Sequence, residues 1–145
     1  MALCFVAAAV CFASNPNMGT WKLNEAKSTF APGATKNHTV VYEAAGDMVK
    51  VTVDGTASDG TSRHSEWTGK FDGKDYPVTG DPNTDMRSYK KVNDRTLELT
   101  NKKDGKVVSR GTAVVSADGK TRTVSITQVS SKGTTAKSTA VYEKQ

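Results

Sequence analysis

Two segments, Val49-Lys50-Val51-Thr52-Val53 and Thr123-Val124-Ser125-Ile126-Thr127, decide the fold of this chain. In both, polar and apolar side chains nearly alternate and most residues are β-branched, which is typical of a strand that buries one face. Turn signals stand beside them, because Gly46-Asp47 precedes the first segment and Asp118-Gly119 precedes the second. Glycine and aspartate tolerate the positive φ of tight hairpin turns, so each segment is predicted to be one strand of a β-hairpin.

The same pattern recurs along the rest of the chain. Further turn signals are Ser58-Asp59-Gly60, Asp72-Gly73, Asn93-Asp94, Asp104-Gly105 and Lys132-Gly133. Because short connections join only neighbouring strands, the predicted architecture is all-β, an antiparallel up-and-down β-barrel of about 8–10 strands. The predicted strands lie near residues 19–24, 38–44, 48–57, 61–71, 74–79, 85–92, 95–101, 106–115, 120–129 and 134–143.

One connection is longer than the others. Residues 25–37 contain Ala26-Lys27-Ser28 and then Pro32-Gly33, a composition that allows at most a turn of helix before a loop. This segment is expected to cap one mouth of the barrel, and the Pro32-Gly33 loop is expected to gate access to the interior.

The first 13 residues carry no charge, and the chain turns abruptly polar from Ser14. Cys11 and Ala13 stand at the −3 and −1 positions of a plausible cleavage before Ser14, so residues 1–13 are expected to be a secretory signal peptide. No basic residue precedes the apolar run, so the expected signal is truncated or starts further upstream; the alternative is a buried N-terminal strand. Residues 14–145 would then form a single cysteine-free β-barrel domain, exported to a bacterial periplasm or the extracellular space.

Length and charge limit the classes of function. A chain of 145 residues fits one domain, and 20 Lys+Arg against 15 Asp+Glu give a net charge of +5. The lysines stand mostly beside turns with acidic residues among them, as in Lys102-Lys103-Asp104-Gly105-Lys106, which is typical of a solvated rim. Without a basic block or an RNA-binding aromatic motif, nucleic-acid binding is not predicted, whereas weak contact with anionic envelope components is.

Two stretches resemble known ligand-binding barrels. Gly19-Thr20-Trp21-Lys22-Leu23 resembles the opening Gly-x-Trp of lipocalins and the first strand of fatty-acid-binding proteins, and Val141-Tyr142-Glu143-Lys144 is similar to the terminal strand of the latter. Through Val40–Asp47 and Asp72–Val78 the chain also resembles small exported bacterial lipocalin-like proteins. These resemblances imply a calycin-type barrel that holds a small molecule inside.

The chain departs from fatty-acid-binding proteins at the ligand clamp. Where that family places an arginine two residues before the terminal tyrosine, this chain has Ala140. Arg110 or Arg122 is the candidate replacement. Arg122 is also a candidate for packing its guanidinium over Trp21, as lipocalins do with their own late arginine.

Catalytic and metal motifs are weak. His64 and Glu66 share one face of a predicted strand, so they could act together on a pocket, but the alternation through Trp67 and Phe71 makes the opposite face the apolar one. The two residues are therefore expected to lie on the solvent side. Asp81–Asp85 copies the first half of a calcium loop, but the glycine and the bidentate glutamate of the second half are missing, so a plain turn is expected.

We therefore predict an exported protein that holds a small, partly apolar ligand inside a β-barrel, as a monomer or weak dimer, with no cofactor and no metal. Two alternatives stay open at this point: a structural or cell-envelope protein with a filled barrel, and an enzyme that uses His64 and Glu66. The predicted ligand-binding residues are Trp21, Tyr42, Trp67, Tyr89, Arg110, Arg122 and Tyr142.

Overall fold

In the computed structural model, which describes residues 15–145, ten β-strands form one closed barrel. The predicted signal peptide and both cysteines lie outside the described residues. No helix in residues 15–145 is long and apolar enough to cross a membrane. The strands are β1 (Gly19–Thr29), β2 (Lys36–Ala45), β3 (Met48–Thr56), β4 (Ser62–Gly69), β5 (Tyr76–Thr79), β6 (Met86–Asn93), β7 (Thr96–Lys103), β8 (Lys106–Val115), β9 (Thr121–Val129) and β10 (Thr135–Lys144).

The strand order confirms the predicted up-and-down topology. Every strand pairs antiparallel with its neighbours in sequence, and β1 pairs with β10 to close the barrel. Gly46 and Gly119 have φ values of 65° and 73°, the left-handed conformation that the turn signals predicted. Closure leaves no open sheet edge, so every strand has two partners.

The predicted length of the connection over residues 25–37 was wrong. β1 continues to Thr29, and only residues 30–35 form a connection, without helix. The pairing of β1 with β10 is irregular between Asn24 and Thr29, and hydroxyl groups replace the missing ladder bonds: the Ser28 hydroxyl accepts from the Val141 amide at 2.9 Å. The polar residues that favoured a loop in the sequence belong instead to this irregular stretch of β1, where a side-chain hydroxyl bridges the two strands.

Antiparallel order places alternate connections at the same end of the barrel. We call the end with residues 46–47, 70–75, 94–95 and 116–120 the filled end, because aromatic side chains occupy it. The Trp67 ring is the centre of this packing, 4.8 Å from the Tyr89 centroid and 5.7 Å from the Tyr76 centroid, both edge to face. The opposite end, with residues 30–35, 57–61, 80–85, 104–105 and 130–134, is the open end.

Trp21 should contribute to the stability of the fold as a buried core residue. Its side chain is fully buried, and its Nε1–H donates to the Asn17 carbonyl at 2.8 Å. We expect Trp21→Ala to lower the free energy of unfolding by about 3–5 kcal/mol, measured by chemical denaturation. Val114→Ala, at an exposed position, is the control and should stay within about 0.5 kcal/mol. A loss for Trp21→Ala no larger than that of the control would contradict this role.

Candidate functional site: the cavity at the open end

A cavity of about 660 Å³ occupies the open end of the barrel. Inward-facing side chains of most strands form its wall, and the loops at residues 30–35, 80–85 and 130–134 surround its mouth. The interior is therefore neither fully packed nor fully hollow, because aromatic residues fill one end and a cavity takes the other. Typical small-molecule pockets have volumes of about 300–1,000 Å³.

One wall of the cavity is polar. Arg87 on β6, Asn101 on β7 and Ser109 on β8 are neighbours in the sheet register and all face inward. The Arg87 Nε–H donates to Asn101 Oδ1 at 2.5 Å, and Asn101 Nδ2 donates to Ser109 Oγ at 2.8 Å. Asn101 thus uses both ends of its amide to fix the position of Arg87.

Arg63 extends the polar wall onto β4. It faces the cavity because it lies two and four residues before Ser65 and Trp67 on the same strand face. Its Nε is buried and has no hydrogen-bond partner in the part of the chain that the structure describes. Among residues 15–145, no carboxylate lies within 4.0 Å of the Arg63 or Arg87 guanidinium.

The opposite wall carries most of the apolar lining. Phe30 directly after β1, Val53 on β3 and Ala140 on β10 belong to it, together with Val124 and Ile126 on β9. Polar side chains such as Gln128 and Ser138 stand among them, so a molecule in the cavity would meet hydrocarbon on this side and hydrogen-bonding groups on both.

Tyr142 lies at the boundary between the packed core and the cavity. It lines the cavity, its side chain is buried, and its hydroxyl donates to the Asn37 carbonyl at 2.9 Å. Burial raises the pKa of Tyr142 to about 12, although the nearby Arg122 charge acts in the opposite direction.

The structure brings only one of the seven predicted ligand-binding residues to the cavity wall. Tyr142 lines the cavity, whereas the other predicted aromatic residues belong to the packed core of the filled end. Their rings contact one another: the Tyr42 and Tyr89 centroids are 6.4 Å apart, for example. The predicted residues that belong to this core are Trp21, Tyr42, Trp67 and Tyr89.

Arg122 is buried in the filled end instead of lining the cavity. Its Nε donates to Asn17 Oδ1 at 3.2 Å, one terminal nitrogen donates to the Tyr42 hydroxyl, and its guanidinium carbon lies 4.7 Å from the centre of the Tyr42 ring. Burial raises the pKa of Tyr42, while the Arg122 charge acts to lower it. The aromatic partner expected for Arg122 was Trp21, but the cation over that ring is Lys144, 5.6 Å from its centre.

The remaining predicted polar residues face solvent. Arg110 is exposed, because Ser109 beside it takes the inward position. His64 is exposed on the outer face, where its Nδ1 lies 2.6 Å from Asp54 Oδ1 and its Nε2 lies 3.7 Å from Glu66 Oε1. The hydrogen bond to Asp54 and then its charge raise the pKa of His64. This group lies on the outer surface and not in the cavity.

The segment Asp81–Asp85 forms a turn at the mouth of the cavity. Asp81 Oδ1 accepts from the Asn83 amide at 2.8 Å, the pattern of an Asx turn. Asp85 Oδ2 accepts from the Asp104 amide at 2.9 Å, and its buried Oδ1 has no partner. Within residues 15–145, no group of three or more potential metal-ligating side chains occurs.

Sequence reasoning missed Arg63, Arg87 and Asn101 because it weighted aromatic residues. A signal was present, since Arg63 has the same parity as Trp67 on β4, and Arg87 the same parity as Tyr89 on β6. Alternation alone therefore places both arginines on the interior face.

Comparisons with known proteins find structures with a similar fold but no family. No family model and no curated protein matches the chain. A structure of EF1p2_mFAP2b bound to DFHBI is 12% identical, with a TM-score of 0.52 over 92% of this chain and 97% of the other. A redesigned beta barrel, mFAP1, bound to DFHBI is 16% identical, with a TM-score of 0.49 over 89% of this chain and 95% of the other. The class that fold and site define is a closed ten-stranded antiparallel β-barrel with a cavity at one end.

The buried phenol of Tyr142 should make stability fall at high pH. Its pKa is raised above the ordinary value of 10, so its contribution is complete below pH 10 and is lost as pH rises toward 12. We expect the free energy of unfolding to fall by about 1.4 kcal/mol per pH unit on account of this group. Tyr142→Phe, which cannot ionise, should be less stable than wild type at pH 9 but lose less between pH 10 and 12. Parallel pH profiles in denaturation experiments would contradict the assignment.

Proposed function

We propose that the protein binds a small, partly apolar molecule in the cavity at the open end of the barrel. The observation that carries this proposal is the cavity itself, about 660 Å³ with one polar and one apolar wall. Its volume is in the range of ligand pockets, and hydrogen bonds fix Arg87, Asn101 and Ser109 in its polar wall, as is typical of sites that orient a ligand. The structure of EF1p2_mFAP2b, which has a similar fold, is bound to DFHBI and supports a ligand-binding use of this architecture.

Access to the cavity would pass the loop at residues 30–35. Phe30, Gly33 and Ala34 line the interior cavity and also a shallower groove on the outside. Gly33 has a φ of 79°. The Lys36 ammonium lies 5.5 Å from the centre of the Phe30 ring, which holds that ring at the mouth. In this proposal, Phe30 and the Pro32-Gly33 loop move aside to admit the ligand.

The two alternatives from the sequence have less support. A structural protein with a filled barrel would not need the cavity, and no other observation favours this alternative. An enzyme that uses His64 and Glu66 would need a pocket beside these residues, but they lie on the outer face, 57% and 42% exposed at the side chain.

Cavity binding can be tested with the neutral fluorescent probe N-phenyl-1-naphthylamine. We expect one probe per barrel, and we expect Val124→Phe to abolish binding because the larger side chain fills the cavity from β9. Val114→Phe makes the same change at an exposed position of the paired strand β8 and should leave the affinity unchanged. Fluorescence titration and calorimetry measure both.

The opposite results are equally clear. Absence of probe binding, or equal binding by wild type and Val124→Phe, would contradict a ligand site in the cavity. Ala140→Phe, on the neighbouring strand β10, is the second blocking variant if Val124→Phe does not fold.

We also propose that the barrel is exported, with residues 1–13 removed. The support is the uncharged run before Ser14. Expression of the full chain in a bacterium and mass measurement of the periplasmic product should give a protein that starts at Ser14. A product of full length in the cytoplasm would contradict export, and it would leave the proposal of cavity binding unaffected.

A further inference from the structure

Two arginines in the cavity wall form no ion pair within residues 15–145. Arg63 and Arg87 face the cavity from β4 and β6, and neither has a carboxylate within 4.0 Å among residues 15–145. The pKa of Asp59 is lowered mainly by hydrogen bonds from Thr61, and the Arg63 charge is only a minor contributor to that lowering. Guanidinium groups inside proteins are ordinarily paired with an anion or an array of acceptors.

Arg63 has in addition a donor with no acceptor. Its Nε is buried and makes no hydrogen bond to any of residues 15–145. Buried donors in native proteins almost always find a partner, so an unpaired one calls for an explanation. A ligand with acceptor oxygens in the cavity would supply that partner.

Arg87 is oriented by hydrogen bonds in a way that suits anion binding. Asn101 accepts from its Nε at 2.5 Å, and the other end of the Asn101 amide is fixed by Ser109. The arginine is thus oriented by neutral groups that leave its charge uncompensated. An anchored guanidinium loses little further freedom when it binds an anion.

The two arginines line the cavity from strands on either side of β5, and the loop between β5 and β6 lies against β4. Gly80 begins this loop with a φ of 85°, and a Cβ atom there would lie 2.2 Å from the His64 carbonyl oxygen. Only glycine lets the loop close against β4 at this point. The remaining charges on the lining are Lys103 and Asp81, so the cavity has three cations and one anion.

From this arrangement we propose that the ligand is an amphipathic organic anion whose acidic group binds Arg63 and Arg87, with its apolar body against β9, β10 and the end of β1. This inference rests on the proposed cavity binding and adds the chemical class of the ligand. The anion site lies on the side wall formed by β4 and β6. Position 140, where the resemblance to fatty-acid-binding proteins would place a cationic clamp, is an alanine of the apolar wall.

Two probes that share one skeleton test the inference. N-Phenyl-1-naphthylamine is neutral, and 8-anilinonaphthalene-1-sulfonate adds a single sulfonate to that skeleton. We expect Arg63→Gln and Arg87→Gln each to raise the dissociation constant of the sulfonate at least about tenfold, the effect of one charge-assisted hydrogen bond, and to change that of the neutral probe less than about twofold. Arg110→Gln, at an exposed arginine, is the matched control and should change neither.

Arg63→Gln is the decisive variant, because Arg63 Nε has no hydrogen bond to lose. Its melting temperature without ligand should be no lower than that of wild type, so a loss of sulfonate binding could not be attributed to unfolding. If Arg87→Gln fails to fold after losing its bond to Asn101, Arg63→Gln decides alone.

The outcomes separate this inference from the proposed function. Neutral binding in the cavity together with a sulfonate affinity that follows the Arg110→Gln control would overturn the anion site and leave cavity binding in place. Equal losses for both probes would also overturn it, because the arginines would then act through cavity shape. Failure of wild type to bind either probe would overturn the proposed function and this inference with it.

Discussion

The buried guanidinium of Arg122 is the constraint around which the barrel is organised. Moving a cation out of water is costly unless hydrogen bonds and a polarisable neighbour compensate for the lost hydration. Here the compensation is neutral: Asn17 accepts from Nε, the Tyr42 hydroxyl accepts from a terminal nitrogen, and the Tyr42 ring lies beneath the guanidinium. Because Asn17 also accepts from the Trp21 indole through its carbonyl, the segment before β1 is bound to the filled end.

Small side chains of one strand leave space next to that filled end. On β10 the inward position Tyr142 is followed toward the open end by Ala140, Ser138 and Ala136. These small side chains do not reach across the barrel, and the cavity lies beside them. The volume that aromatic residues occupy at one end and the space at the other are two consequences of a single pattern of alternation and size.

Local patterns in the sequence predicted most of the fold. Alternation and turn residues predicted ten strands and their order, because hairpin geometry depends on neighbours in sequence. The extension of β1 to Thr29 was missed, since its irregular pairing depends on hydroxyl groups of β1 and β10, such as Ser28 and Ser138, which are distant in sequence. The cavity lining differs from the predicted set for a related reason: alternation predicts which side chains face inward, but not which end of the barrel they fill, so only Tyr142 of the predicted residues lies in its wall.

The contrast between arginines shows why charge alone is a poor guide to function. Arg110 is exposed and hydrated, and Arg122 is buried with hydrogen-bond partners on its Nε and a terminal nitrogen. Arg63 has neither arrangement, because its Nε is removed from solvent and yet unpaired. Folding alone does not compensate for the lost hydration of this N–H donor, whereas hydrogen bonds to the oxygen acceptors of a ligand would. In the proposal above, the same side chain is thus a surface group, a structural centre or a binding group according to what completes its hydrogen bonds.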